Sequence, residues 1–176
     1  MPALAIPDPS LVVLVGPAGS GKSTLAARLF APDEVLASDA MRAIVGRGES
    51  DQAATRAAFA LLHRQLDGRL RDGRLTVVDA TNVEAHARRS LLQSARAAGV
   101  PAVAILLDLP PDLVLRRNEA RAGRVVDRGV VRHHLARLRA AVDRGLLERE
   151  GFDAVYRIRE PAELDALRIE PRVGMR

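Results

Sequence analysis

The residues Gly16 to Ser23, GPAGSGKS, place glycine at the first and sixth positions and follow the second with Lys22 and the hydroxyl of Ser23. The spacing G-x-x-x-x-G-K-[ST] suits one task, holding the phosphates of a nucleotide. Gly16, Gly19 and Gly21 let the backbone turn tightly and aim successive N–H groups at phosphate oxygens. A helix starting near Lys22 adds the positive end of its dipole. Ser20 and Thr24 belong to the same nucleotide contact, and Ser23 offers its hydroxyl to Mg²⁺. Lys22 is the only lysine of the chain; the other 26 of its 27 basic side chains are arginine. Phosphates in a tight loop need a compact charge on a thin stem, whereas a guanidinium is planar, bulkier and prefers a forked partner. The motif specifies nucleotide binding and no particular reaction. A GTP-reading switch, with its N-K-x-D segment, needs a second lysine and is excluded.

Transfer of a phosphoryl group to an alcohol needs a carboxylate to orient the hydroxyl and take its proton, Mg²⁺ to bridge phosphates, and cations around the moving group. Asp39 (LASDAMR), Asp79 (TVVDATN) and Asp108 (LLDLP) each end an apolar run, and ligands of doubly wound sheets sit beyond the carboxyl ends of the strands. Asp39 is the candidate base, because Arg42 lies one helical turn on and sets a cation beside it. The alternative is a capping aspartate with an ordinary ion pair. Asp79 either holds a Mg²⁺-bound water or caps the next helix, and Thr81 reads as a cap. Asp108 precedes Pro110 and Pro111 and reads as a turn residue. The stretch LRRNEARAGRVVDRG, residues 115–129, holds five arginines. It is either solvated surface or a mobile lid that closes over phosphates and excludes water. His63, His86, His133 and His134 show no metal-ligand spacing and read as surface or helix residues.

Strands are expected at 11–15, 34–39, 75–80, 103–109 and 154–158. These are near-continuous apolar runs, as in a parallel sheet covered on both faces. Helices are expected at 22–30, 51–72, 83–98, 112–122, 128–149 and 161–168, with Thr81 and Glu84 at capping-box spacing and Gly99 as a stop. Strand–helix alternation of this kind makes an α/β fold. The 176 residues suffice for one domain, and no linker divides them. Net charge is +5, which suits anionic partners and equally an arginine-favouring genome. Aromatic residues make up 2%, too few for a base-stacking platform. The N-terminal MPALAIPDPS lacks a basic region and is broken by prolines, unlike a signal peptide. No apolar run has bilayer-spanning length, so no membrane partner is expected. The absence of cysteine fits a cytoplasmic location.

Taken in order, GPAGSGKSTLA, EVLASDAMR, DQAATRAAF, LTVVDATN, RNEARAGR and REGFDAVY resemble the 5′-kinase domain of bacterial polynucleotide kinase-phosphatase over about residues 10–160. The resemblance implies a P-loop NTPase, adenylate-kinase-like, with a five-stranded parallel sheet of order 2-3-1-4-5, helices on both faces and a helical lid at about 115–129. It implies transfer of the γ-phosphate of ATP or another NTP, with Mg²⁺, to the 5′-OH end of DNA or RNA. By motif, Lys22 and Ser23 hold phosphates and Mg²⁺, Asp39 is the general base, Arg42 contacts the transferring phosphate and Gln52 lies near the acceptor strand. Arg117 and Arg124 contact the NTP phosphates; Arg121 is a weaker carry-over. Phosphatase and ligase modules, in a longer protein or in trans, are the implied partners. Two other readings stay open: a P-loop kinase for a small alcohol (a sugar acid, an antibiotic or a nucleotide-sugar), and a nucleotide-binding regulator without catalysis.

Overall fold

The computed structural model describes residues 3–45 and 52–170. Five parallel strands form the central sheet: β2 (Leu11–Val15), β3 (Val35–Ala37), β4 (Thr76–Asp79), β5 (Ala102–Leu107) and β6 (Ala154–Ile158), in the order β3-β4-β2-β5-β6. Setting aside the short β1 (Ala3–Leu4), this is the expected 2-3-1-4-5. β2 runs up the middle, with Val12 level with Val77 on one side and Val103 on the other. All five of its side chains are buried. Val12 and Leu14 point into one core, and Leu11, Val13 and Val15 into the other. A strand with water on neither face has no use for polar alternation, which is why its sequence is apolar throughout.

The first core is closed by α1 (Lys22–Leu29), α5 (Pro111–Glu119) and α8 (Pro161–Ala166), through Leu25, Val114 and Leu164. The second is closed by α3 (Gln52–Arg71), α4 (Ala85–Ala98) and α7 (Leu146–Arg149), through Leu66, Leu92 and Leu147. α2 (Ser38–Val45) adds Met41 to the second core. α6 (Arg128–Asp143) gives Val131 to the first and Leu138 to the second, and so wraps the edge between them.

Four expectations are corrected. The strand at 34–39 is only β3, because Pro32–Glu34 form a 3₁₀ turn and helix α2 begins at Ser38; Asp39 therefore sits in a first helical turn. The helix at 112–122 ends at Glu119. The helix at 128–149 breaks at Gly145, which takes φ 57° and starts α7. The Thr81–Glu84 capping box does not form: Glu84 is itself the N-cap of α4, and its carboxylate accepts from Arg137 at 2.7 Å. A two-stranded parallel pair, β1 with β7 (Arg168–Ile169), was not expected from the sequence. Gly99 does stop α4, with φ 67°.

The segment after β4 is held by Arg88, whose side chain is fully buried. Its guanidinium donates to both carboxylate oxygens of Glu150, at 2.7 and 2.6 Å, and to the carbonyls of Asn82 and Val83, at 2.9 and 2.8 Å. Asn82, at φ 49°, donates its amide to Leu14 O at 2.8 Å. Arg88→Met fills the same space but leaves Glu150 and two carbonyls without donors. Removing one partner of a buried pair costs about 3–5 kcal/mol, or roughly 6–20 °C in Tm for a chain of this size. Thermal unfolding of the variant measures it.

Candidate active site

β2 ends where a tight turn must begin. Gly21 has φ 95° and no side chain caps α1, which leaves the first N–H groups of that helix free to meet an anion. Gly19 has φ 85°, and a Cβ there would lie 2.4 Å from Val114 O and 2.8 Å from Asn118 N, so the loop is pressed against α5 and only glycine fits. Gly16 N donates to Thr81 O at 2.9 Å, tying the loop to the segment after β4. Ser20 Oγ donates to Pro17 O at 2.8 Å.

Lys22 is buried, and its Nζ donates to Pro17 O at 2.9 Å. Burial lowers its pKa to about 8, opposed by the carboxylate of Asp79 and reinforced by the cation of Arg121. Arriving phosphates set anionic partners beside the ammonium and favour its charged form. At pH 8.5 nucleotide binding therefore draws a fraction of a proton onto Lys22, while at pH 6.5 the lysine is already charged and draws none, and affinity falls as pH rises through about 8. Calorimetry in buffers of different ionisation enthalpy reads the uptake.

A cleft of about 620 Å³ opens over the loop. Lys22, Ser23 and Thr24 line it, together with Asp79 at the end of β4. Asp79 is 8% exposed and makes no hydrogen bond or ion pair with any described residue. A buried carboxylate with no hydrogen-bond partner among the described residues, beside a serine hydroxyl and a phosphate cradle, fits a hard cation such as Mg²⁺, which takes few protein ligands and completes its shell with phosphate and water. Ser23 and Asp79 are the residues that would hold it.

Asp39 lines the same cleft. Arg42 Nη1 lies 2.7 Å from its Oδ1, and Arg124 Nη1 comes within 3.7 Å of the same oxygen. Oδ2 makes no hydrogen bond with any described residue, and the Arg42 Nε is buried without a partner among them. The sequence assigned Arg124 to the nucleotide phosphates; here its guanidinium lies beside Asp39. Arg117 and Arg121 also line the cleft, whereas Arg128 turns to Glu119 at 2.5 Å. The arginine-rich segment thus runs from the end of α5, which carries Arg117, through an irregular stretch at 120–127 with Arg121 and Arg124, to the start of α6 at Arg128. Asn118 exchanges hydrogen bonds with Val126 N and O at 3.2 and 2.7 Å, and Asp127 caps α6 by accepting from Gly129 and Val130 N. Gln52 opens α3, and its side chain lies outside the described residues. Asp108 follows the end of β5, where the sequence put a turn residue, and pairs with Arg157 at 2.6 Å.

Among the cleft residues that the sequence missed are Arg28, Phe59 and His134. Arg28 donates to the carbonyls of Leu164 and Asp165, which line the cleft with it. None carries a local signal, because only the packing of α1, α3 and α6 decides which helix face meets the cleft.

Residues 11–146 match the sequence profile of an AAA domain family. No curated protein matches the chain by sequence. Among solved structures, a chain of the Pnkp1/Rnl/Hen1 RNA repair complex is 19% identical with a TM-score of 0.67, over 80% of this chain and 47% of that one. This protein thus spans about half the length of that relative. A sugar kinase from Janibacter sp. HTCC2649 is 20% identical with a TM-score of 0.58, covering 89% of this chain and 90% of its own. A gluconokinase from Sinorhizobium meliloti 1021 is 16% identical with a TM-score of 0.56, covering 92% and 88%. Among the described residues, no helix is long and apolar enough to cross a membrane. With the matched stretch containing the phosphate loop and four of the five central strands, the chain belongs to this AAA domain family and has the fold of the P-loop kinases.

Proposed function

We propose that the protein is an NTP-dependent polynucleotide 5′-hydroxyl kinase, acting on DNA or RNA ends in nucleic-acid repair. One observation carries the reading: Asp39, flanked by the guanidiniums of Arg42 and Arg124, lines the same cleft as Lys22, Ser23 and Asp79. Two cations on one carboxylate leave an excess positive charge beside the base. A 5′-hydroxyl brings its own phosphodiester to that place, where a neutral sugar brings nothing to neutralise it; an anionic alcohol such as gluconate also meets that charge, and the transfer assay below separates the two. The likeness to a chain of an RNA repair complex supports the same acceptor.

In this reading the triphosphate lies on the N–H groups at the start of α1, with Lys22 on its β- and γ-phosphates. Mg²⁺ held by Ser23 and Asp79 spreads the phosphate charge when bound. Asp39 Oδ2 accepts the proton of the 5′-hydroxyl as its oxygen bonds to the γ-phosphorus. The bond from that phosphorus to the β–γ bridging oxygen breaks, and the nucleoside diphosphate leaves. Arg42 steadies Asp39 and faces the acceptor phosphate, while Arg117 and Arg121 meet the triphosphate. Phosphatase and ligase modules would act before and after this step.

A second reading, a kinase for a small alcohol, is favoured by the near-complete mutual coverage with the sugar kinase and the gluconokinase. The test is transfer of label from γ-labelled ATP, with Mg²⁺, to a 5′-OH oligonucleotide, a 5′-phosphorylated control, gluconate and a nucleoside. Label on the 5′-OH oligonucleotide alone is the expected result. Label confined to gluconate or the nucleoside contradicts it, and nucleotide binding with no transfer favours a regulator.

A further inference from the structure

Resting on the assignment of the Asp39 end of the cleft to the acceptor, we propose that His134 binds the acceptor, its Nε2–H donating a hydrogen bond to a neutral oxygen, a sugar hydroxyl or base carbonyl, next to the reacting hydroxyl. His134 stands one turn after Val130 on α6, and both line the cleft that Asp39, Phe59 and Lys22 also line; Lys22 is close enough to act on the charge of the imidazole. The imidazole makes no hydrogen bond with any described residue. Its Nδ1 is shut off from solvent and has no partner among them.

An N–H buried without an acceptor costs more than a bare lone pair in the same place, so the ring keeps its proton on Nε2. Nε2 is the nitrogen that remains open, and the residue lies on the cleft wall. The helix that carries it is fixed in place. Glu84, ahead of α4, accepts from Arg137 at 2.7 Å and lies 3.9 Å from His133, one and three residues on either side of His134 along α6.

The charge state fits a donor to a neutral group. Burial holds His134 below the ordinary histidine value of 6.5, helped by His133 on its own helix and by Lys22 on α1, and opposed by Glu84. At neutral pH the ring is therefore uncharged. It adds no third cation to Arg42 and Arg124, which already suffice for a phosphodiester, and it supplies the one kind of contact that they do not, a single uncharged donor.

The experiment is steady-state transfer of label at pH 7.5 to a 5′-OH oligonucleotide, and in parallel to gluconate, by wild type, His134→Ala, His134→Gln and His133→Ala. A hydrogen bond of ordinary net worth corresponds to about two- to tenfold in KM. His134→Ala is expected to raise the KM of the labelled acceptor by that factor, with the KM for ATP unchanged. His134→Gln, which keeps a donor, recovers part of it, and His133→Ala changes neither KM. An unchanged acceptor KM in His134→Ala overturns the inference, as does an equal rise in both KM values, which marks a packing role. Wild type that labels neither acceptor sinks the kinase reading itself, and this inference with it. RNA ends against DNA ends separate a 2′-hydroxyl from a base carbonyl as the bonded oxygen.

Discussion

Asp39→Asn lowers the rate of phosphoryl transfer by about 10²–10⁴-fold, the usual contribution of a positioned base, and leaves nucleotide affinity unchanged. The variant keeps the shape of the side chain and an oxygen for Arg42 Nη1, which stands 2.7 Å from Oδ1 in the wild type. What it loses is the charge and the basic Oδ2. The effect falls on the chemical step because Asp39 lines the cleft from α2 and is part of neither the phosphate loop nor α1. Single-turnover transfer gives the rate, and calorimetric titration with a non-hydrolysable ATP analogue gives the affinity. A loss of less than tenfold contradicts the assignment of Asp39 as the base.

Lys22→Ala slows transfer by about 10²–10³-fold, the range for removing one preorganised donor from a developing anion, and also weakens nucleotide binding. Stability moves the other way or not at all. Burial makes the Lys22 ammonium costly in the free protein, as its lowered pKa of about 8 records, so its removal relieves a strain on the fold. Lys22→Arg does not restore activity, because the buried lysine tip donates to Pro17 O at 2.9 Å as a compact point charge, a geometry that a bulkier planar fork does not reproduce. Label transfer and thermal unfolding on the same samples separate the two effects. Activity lost together with a large fall in Tm contradicts the role given to the lysine.

What the sequence disclosed and what it withheld follow the range of the interactions. The phosphate loop is eight consecutive residues whose spacing fixes its own geometry, so it is legible on the page. Asp39 and Arg42 are one helical turn apart, and their ion pair is legible for the same reason. The five central strands could be read because strands covered on both faces become continuous apolar runs. β1 and β7 are two residues each, too short to show a period, and only their pairing makes them strands. The end of β3 was misread because LASD remains apolar up to Ser38, where the backbone has already turned into α2.

Contacts between distant segments were invisible. The expectation that Glu84 joins a capping box failed because Arg137, far along the chain, takes its carboxylate. Nothing near Arg88 in sequence announces Glu150 as its partner. Arg124, placed on the nucleotide phosphates by resemblance, lines the cleft with the phosphate loop, and its proximity to Asp39 is a contact the sequence does not show. His134 was read as an ordinary helix residue, because which face of α6 turns to the cleft is decided by Val131 and Leu138 packing into the two cores.

The most direct measurement is a crystal structure with Mg²⁺, a non-hydrolysable ATP analogue and a short 5′-OH oligonucleotide. The account predicts the terminal oxygen within hydrogen-bonding distance of the Asp39 carboxylate, about 2.6–3.2 Å, and in line with the γ-phosphorus above Lys22. An oligonucleotide seated with its 5′ oxygen away from Asp39, or a triphosphate lying elsewhere than on the loop from Gly16 to Ser23, contradicts it.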